Sequence, residues 1–279
     1  MGKLFFVPTP IGNLKDITLR ALEIFKNVDL VAAEDTRQSL KLLNYFNIKK
    51  PLISYHKHNE NDKSKLLIQK LKDGKDIALV SDAGTPGISD PGNVIVRKCI
   101  EEGIDFEVLP GATAVTTALV YSGLDTSKFI FIGFLPRENK DKKDILEDIK
   151  DRGETLIMYE SPHRLINTLE FLKNILGDRH IAICRELTKL HEEILRFTIG
   201  ESIDYYCDRN IRGEFVLVVE GKDKKQLLEE KREKWVNLSV EDHIRMYIDE
   251  GLSKKESIKK VANDRDICKS SVYKHSINL

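Results

Sequence analysis

Residues Ser81–Gly92 read Ser-Asp-Ala-Gly-Thr-Pro-Gly-Ile-Ser-Asp-Pro-Gly and directly follow the apolar run Ile77–Val80. A short apolar run that ends in a polar loop is typical of a strand whose carboxyl end borders the ligand crevice of an α/β sheet. The glycines and prolines of the loop fix its backbone and allow a ligand to approach closely. An ordinary connecting loop is the alternative, but such loops are usually shorter and less constrained. The segment therefore predicts a ligand site and favours an enzyme.

Strand-like and helical patterns alternate on both sides of this loop. The strands of the first half are predicted at Leu4–Val7, Leu30–Ala33, Leu52–Ser54, Ile77–Val80 and Phe106–Leu109. Helices between such strands are typical of βαβ units around a mainly parallel sheet. The pattern changes near Phe129–Pro136, and strands and helices then alternate again as far as Val219. We predict an α/β protein with an N-terminal domain at 1–122 and a second α/β domain at 126–221.

Composition limits the classes of protein that the chain resembles. The 279 residues, 41% of them hydrophobic, suffice for two domains and a small appendage. The 45 Lys and Arg residues balance 45 Asp and Glu residues, so net charge indicates no polyanionic partner. Four widely spaced cysteines without a Cys-x-x-Cys pair are typical of reduced thiols in a cytoplasmic protein. The chain shows no signal peptide and no apolar run of membrane-spanning length, so we expect it to be soluble and cytoplasmic.

The C-terminal residues differ from the two domains. Residues 222–238 form a charged run that we interpret as a linker or a solvated helix, and residues 239–279 form a small helical unit. From Gly251 to the end there are seven basic and three acidic side chains, and this excess of positive charge is a modest indication of an anionic partner. Residues 266–275 resemble the turn and recognition helix of a helix-turn-helix. Packing or dimerisation by this tail remains the alternative to nucleic-acid binding.

Further polar loops follow other predicted strands. Val7–Leu14 contains two prolines that remove backbone donors, which argues against a phosphate-binding loop of the Gly-x-x-x-x-Gly-Lys type. The chain also has no Gly-x-Gly-x-x-Gly, so we do not expect a conventional dinucleotide site. Glu34 and Asp35, followed by Arg37, supply a base or order a substrate, or they only stabilise a helix N-terminus. Pro110–Ala114 places small residues at a helix start, which suits either a ligand against the backbone or close helix–sheet packing.

The second domain offers two more charged loops, Tyr159–Arg164 and Cys184–Lys189. Their basic residues contact phosphates or pair with neighbouring glutamates. His56 and His58 share a face of a short strand end, but two histidines without a third ligand are weak support for a metal site. We therefore predict no metal.

Taken together, Thr9–Leu14, Ala33–Arg37, Ser81–Gly92 and Pro110–Ala114 resemble the tetrapyrrole methylase superfamily. Within it they look like the small-subunit ribosomal RNA (cytidine-2′-O)-methyltransferase family. The resemblance covers roughly Lys3–Gly221, and it extends into the second domain through the segments Tyr159–Arg164, Arg185–Lys189 and Gly213–Glu214. Its most specific element is Ser-Asp-Ala-Gly-Thr-Pro. A helix-turn-helix-like tail also occurs in this family, although here Asp266 stands where such turns often carry glycine.

The resemblance implies two α/β domains of the tetrapyrrole methylase type with S-adenosylmethionine in the cleft between them, and a homodimer. It implies as acceptor the ribose 2′-hydroxyl of a cytidine in small-subunit (16S) ribosomal RNA, presented as RNA or as the assembled small ribosomal subunit. The residues that it assigns to the cofactor are Asp82, Gly84, Thr85, Ile88, Thr113 and Ala114, and more loosely Pro10, Tyr159, Arg185 and Glu214.

A ribose hydroxyl is a weak acid, so a carboxylate that accepts its proton would assist transfer. Glu34 and Asp35 are our candidates, and we expect Asp35→Ala to abolish transfer while leaving cofactor affinity nearly intact. Arg37, Glu160 and Lys189 are predicted to contact the substrate. The alternative acceptors within the superfamily are a tetrapyrrole carbon and a modified histidine on a protein. A non-catalytic ribosome-binding protein, which would not bind S-adenosylmethionine, is the alternative of a different class.

Overall fold

The computed structural model describes residues 1–223, 235 and 237–277. Two five-stranded sheets with flanking helices dominate it, which confirms the predicted α/β class. The charged run predicted as a linker at 222–238 lies largely outside the described residues. Within the described ranges, no helix is both long enough and apolar enough to cross a membrane.

The first sheet is entirely parallel and has the order β3-β2-β4-β1-β5. Its strands are β1 (Leu4–Phe6), β2 (Leu30–Ala33), β3 (Leu52–Ser54), β4 (Ile77–Val80) and β5 (Phe106–Val108). The helices of this layer are α1 (Leu19–Asn27), α2 (Thr36–Tyr45), α3 (Glu60–Lys72) and α4 (Asn93–Glu101). The predicted strands of the first half are therefore confirmed to within one residue at each end.

The central strands are apolar at every position because helices cover both faces of the sheet. Phe6 and its alternate neighbours pack with α3 and α4 in one core, whereas Phe5 and Val7 pack with α1 and α2 in the other. The chain moves from β1 to one side for β2–β4 and to the other side for β5. Ligands of open α/β sheets bind outside the strand ends at such a reversal, and the loop Ser81–Gly92 lies there.

The second sheet is mixed and has the order β6-β7-β10-β8-β9, with only β6 and β7 parallel. Its strands are β6 (Phe129–Phe134), β7 (Thr155–Glu160), β8 (His180–Arg185), β9 (Glu193–Thr198) and β10 (Phe215–Val219). The helices that accompany it are α5 (Ala114–Ser122), α6 (Asn139–Ile149), α7 (Leu165–Leu176) and α8 (Ile199–Tyr206).

The two faces of the second sheet are covered by different helices. One face packs on α6, α7 and α8, and the other packs on α5, whose Val115, Ala118 and Leu119 are buried against it. Helix α5 belongs by position to the predicted first domain, 1–122, yet its apolar side contacts the second sheet. The division at 122–126 thus remains a proposal, with α5 as the element that joins the two layers.

The C-terminal unit consists of α9 (Val240–Asp249), α10 (Lys254–Asp264) and α11 (Lys269–His275) around a small core that includes Ile244, Val261 and Val272. A capping box of Ser253 and Glu256 opens α10. Asp266, in the turn before α11, has a φ of 51°, the left-handed conformation that glycine adopts most easily. Aspartate tolerates this conformation better than most residues, so the turn forms without glycine.

Candidate active site

A cavity of about 480 Å³ lies between strand-end loops of the first sheet and the ends of several strands of the second sheet. The lining residues from the first-sheet loops and the start of α5 are Ile11, Glu34, Asp82, Ala83, Gly84, Thr85, Ile88, Ser89, Asp90, Thr113 and Ala114. Those from the second sheet are Phe134, Tyr159, Glu160, Ser161, Pro162, Cys184, Leu187, Gly213, Glu214, Phe215 and Val216. Both the size and the mixture of apolar and polar groups are typical of a small-molecule site.

Most of the site residues predicted from the sequence meet in this cavity. They are Glu34, Asp82, Gly84, Thr85, Ile88, Thr113, Ala114, Tyr159, Glu160 and Glu214. Five others do not line it, namely Pro10, Asp35, Arg37, Arg185 and Lys189. Their predicted contacts with cofactor or substrate therefore have no support from the cavity lining.

Hydrogen bonds between the loops fix the floor of the cavity. Thr9 and Gly84 exchange backbone hydrogen bonds of 2.9 and 3.0 Å, which join the loops after β1 and β4. The Thr85 hydroxyl donates to the carbonyl of Ala112 at 3.2 Å and so adds the loop after β5. Gly84 has a φ of 77°, which explains the need for glycine in the centre of the motif. These hydrogen bonds fix the three loops relative to one another.

Glu34 points into the cavity from the end of β2 and is half-buried. Burial, together with the nearby carboxylates of Asp90 and Asp82, raises the pKa of Glu34 to about 7. A carboxylate with such a pKa accepts a proton near neutral pH far better than an ordinary glutamate. Asp90 also has a raised pKa, because it is partly buried and lies near Asp82.

Asp35 occupies a different environment from its neighbour. Its carboxylate caps α2 through the backbone N–H of Arg37 at 2.8 Å and pairs with the Arg37 guanidinium at 2.7 Å. These hydrogen bonds lower the pKa of Asp35 to about 2. The Arg37 side chain is 86% exposed, outside the cavity lining. Of the roles considered for Glu34 and Asp35, stabilisation of a helix N-terminus therefore applies to Asp35.

Glu160 lines the cavity, but its side chain is fully buried and its oxygens are already bonded. They accept hydrogen bonds from the Thr168 hydroxyl at 2.6 Å and from the backbone N–H of Ser161 at 2.8 Å. The Arg164 guanidinium lies 3.4 Å away and compensates the charge. This network positions the loop after β7, so Glu160 has little capacity left for a substrate.

Lys189 lies where the two sheets approach each other. Its ammonium group pairs with Glu186 and Glu214, both at 2.8 Å. A Cβ added to Gly12 would lie 2.5 Å from Cγ of Lys189, so the first loop packs directly on this side chain. Lys189 therefore fixes the contact between the loops, and Pro10 lies buried two residues before Gly12.

The aromatic wall of the cavity is only partly predicted by the sequence. Tyr159 is among the predicted site residues, but Phe134 is not, and their ring centroids lie 5.4 Å apart. Burial and the neighbouring Asp90 raise the pKa of Tyr159 to about 12. Strict alternation would place Phe134 on the face of Ile130 and Ile132, away from Phe131. A β-bulge between Phe131 and Gly133 shifts the register and brings Phe134 beside Tyr159, so a simple alternating pattern does not predict it. Among the described residues, no group of three or more His, Cys, Asp and Glu side chains is arranged to hold a metal ion.

Solved structures share this arrangement of two sheets. The crystal structure of diphthine synthase superposes with a TM-score of 0.64 at 16% identity and covers 82% of this chain and 94% of its own. At this identity the likeness concerns the fold. The family model for tetrapyrrole (corrin/porphyrin) methylases matches residues 3–202, and the chain belongs to this family.

Sequence relatives are closer. A protein of Halalkalibacterium halodurans named ribosomal RNA small subunit methyltransferase I is 51% identical, over 98% of this chain and 93% of the relative. A protein of the same name from Thermotoga maritima is 47% identical and is matched over 100% of its own length by 80% of this chain. These matches confirm the resemblance to the tetrapyrrole methylases and to the small-subunit ribosomal RNA methyltransferases.

Proposed function

We propose that the protein transfers a methyl group from S-adenosylmethionine to the ribose 2′-hydroxyl of a cytidine in small-subunit (16S) ribosomal RNA. The observation that carries the proposal is the match, at 51% identity across almost the full chain, to a relative named as a small-subunit ribosomal RNA methyltransferase. The cavity adds independent support, because it combines a preformed ligand site with a carboxylate poised near neutral pH.

The cavity fits the chemistry of S-adenosylmethionine. The cofactor carries two cationic centres, a ribose and a flat purine, and it needs both carboxylates and apolar surface. Asp82 and Asp90 supply carboxylates, while Ile11 and Leu187 supply apolar walls. Gly84 lines the cavity without a side chain, which suits a ligand that lies against the backbone. We assign the cofactor to these residues together with Thr85, Ile88, Thr113, Ala114 and Tyr159.

When bound, the cofactor supplies an electrophilic methyl group on a sulfonium. The protein then has to hold the acceptor oxygen in line with that methyl group and exclude water. Glu34 accepts the proton of the 2′-hydroxyl, since its raised pKa makes it a better base than Asp35 or an ordinary glutamate. The loop after β7, held by the buried Glu160, and the Lys189 bridge keep the second wall of the cleft at a fixed distance.

An RNA acceptor requires basic surface, although the chain as a whole is neutral. Arg37 is exposed beside the first-domain loops, and Lys269 and Lys274 are exposed on α11. The Thermotoga maritima relative is matched in full by 80% of this chain, which supports an auxiliary role for the remaining residues. We further propose that the protein acts as a homodimer in the cytoplasm, which enlarges the basic surface available to the RNA.

The proposal is tested by methyl transfer from labelled S-adenosylmethionine to small ribosomal subunits isolated from cells that lack the protein. Naked 16S RNA, a corrinoid precursor and a ribosome-free protein extract serve as parallel acceptors. We expect label in the RNA. Label in the corrinoid or in protein would identify one of the other acceptors, and failure to bind the cofactor would leave only the ribosome-binding alternative.

A further inference from the structure

A second cavity, of about 250 Å³, lies on the other face of the second sheet. Arg185 alternates along β8 with Cys184, which faces α5 and the first cavity, so the Arg185 side chain points to the face covered by α7 and α8. The residues that line this cavity are Arg185, Glu193, Tyr205, Tyr206, Arg209, Asn210, Ile211, Arg212 and Phe215. It is small, polar and rich in arginine.

Tyr206 carries an unsatisfied hydroxyl in this cavity. The residue is only 4% exposed, and its hydroxyl has no hydrogen-bond partner among the described residues. Buried polar groups are nearly always paired, and leaving one unpaired costs free energy. A buried, unpartnered hydroxyl in a cavity lining is therefore an indication of a missing ligand atom.

The arginines are positioned for an anion and for a flat ring. Arg185 donates to the carbonyl of Arg212 at 2.7 Å and lies 3.5 Å from Glu193, which leaves part of its guanidinium free. The guanidinium of Arg209 lies 3.8 Å from the ring centroid of Tyr205 and forms a stack that a base can extend. Arg209 and Arg212 are exposed, and neither forms an ion pair with any carboxylate in the described part of the chain.

The two cavities border the same short segment of the chain, residues 212–215. Phe215 lines both of them, Gly213 and Glu214 line the first, and Arg212 lines the second. A bound RNA strand that places one group in the first cavity therefore passes only a few protein residues before it reaches the second cavity.

We propose that the second cavity binds a nucleotide that flanks the methylated cytidine in single-stranded RNA. Arg212 and Arg185 contact its phosphate, its base stacks on the Arg209–Tyr205 pair, and the Tyr206 hydroxyl donates to one of its acceptor atoms. The position of this nucleotide next to the target rests on the proposed function. Binding of single-stranded RNA by the cavity does not, and it is measured separately.

The test measures the affinity of the full-length protein for a fluorescein-labelled single-stranded RNA that spans the methylated cytidine. We expect Arg209→Ala and Arg212→Ala each to weaken the RNA Kd by about tenfold, because each removes a stacking or phosphate contact. Arg212→Ala is also expected to lower the salt dependence by about one released counterion. Arg212→Lys restores most of the phosphate contact, whereas Arg209→Lys does not restore stacking. Tyr206→Phe weakens RNA binding by a smaller factor.

Matched controls are Arg97→Ala and Tyr45→Phe, which alter exposed residues outside both cavities. Unchanged Tm and S-adenosylmethionine affinity show that each variant is folded. An RNA Kd unchanged in both Arg209→Ala and Arg212→Ala would overturn the proposal. If wild type methylates subunits and the variants show wild-type KM, the second cavity is not a substrate site although the proposed function stands. If wild type methylates no RNA but the variants lose RNA affinity, the proposed function fails and the binding site stands.

Discussion

The Asp82 carboxylate accepts a hydrogen bond of 2.9 Å from the backbone N–H of Asp35. This bond attaches the loop after β4 to the start of α2 and fixes the residue between β2 and Asp35, which is Glu34. Glu34 consequently faces the cavity, whereas Asp35 turns away and caps the helix. Two adjacent carboxyl groups thus have pKa values of about 7 and about 2. Environments that separate two pKa values in this way usually assign different roles to the two groups.

The first prediction concerns the identity of the base. Glu34→Gln is expected to lower the rate of methyl transfer by about 100-fold or more, since it removes the proton acceptor. Asp35→Asn, the matched control at the adjacent position, is expected to retain most of the activity, because its amide oxygen still caps α2. Single-turnover transfer to small subunits measures both. From the sequence we expected Asp35→Ala to abolish transfer, whereas the structure favours Glu34 as the base. An inactive Asp35→Asn together with an active Glu34→Gln would instead support Asp35.

The second prediction is a pH profile. A base must be ionised to accept a proton, and Glu34 is ionised only above its pKa of about 7. The single-turnover rate is therefore expected to rise with pH up to about 7 and to level off above it. The residual rate of Glu34→Gln should lack this dependence. A wild-type rate already independent of pH from about 5 upwards would show that no group with the pKa of Glu34 limits transfer.

The third prediction concerns stability. The ordinary pKa of a glutamate carboxyl is 4.5 and that of Glu34 in the folded protein is about 7, so between these values the folded state binds more protons than the unfolded state. The contribution of Glu34 to the free energy of unfolding therefore falls as pH rises through this window and stays low above it. Glu34→Gln, which carries no charge, is expected to raise the Tm of the ligand-free protein at about pH 8 by about 2 °C or more. At about pH 4.5 the two Tm values should agree. A lower Tm for the variant under the alkaline condition would contradict the account.

The fourth prediction tests the packing beneath the cofactor loops. A Cβ on Gly111 would lie 2.4 Å from Cβ of Pro8, so Gly111→Ala must push the loops after β1 and β5 apart. We expect it to lower the Tm and to weaken S-adenosylmethionine binding by about tenfold or more. Gly153→Ala is the matched control, because its Cβ would meet only the carbonyl of Lys222 at an ordinary 3.6 Å. Calorimetric titration with the cofactor distinguishes the two variants, and equal affinities would show that the loops adjust freely.

Most of the first sheet is predictable from the sequence because its strands are short apolar runs with polar ends. Ile77–Val80, for example, ends where Ser81 begins the loop, and the structure has the same bounds. Strand β9 is harder to predict from the sequence, because Glu193–Thr198 is a half-buried edge strand that mixes charged and apolar side chains. An edge strand buries too little of its surface to need a continuous apolar run.

Site residues are harder to place than strands. Glycines and small residues such as Gly84 and Ala114 are predicted to meet at the cavity, since the backbone at strand ends determines their position. Lys189 does not line it, because a long charged side chain in a loop takes its direction from its partners, here Glu186 and Glu214. Arg185 does not line it either, because it lies in β8 and faces the other side of the sheet. Strand alternation carries a signal for Arg185: it shares a face with Ile183 rather than with Cys184.

The most direct measurement of the central claim is the position of the methyl group. Small subunits from cells lacking the protein are incubated with the enzyme and labelled S-adenosylmethionine, and the RNA is then hydrolysed with alkali. We predict label in an alkali-resistant dinucleotide whose 5′ residue is a cytidine, because a 2′-O-methyl group blocks cleavage at that ribose. Label recovered in a mononucleotide, or absent from RNA while the cofactor still binds, would contradict the claim.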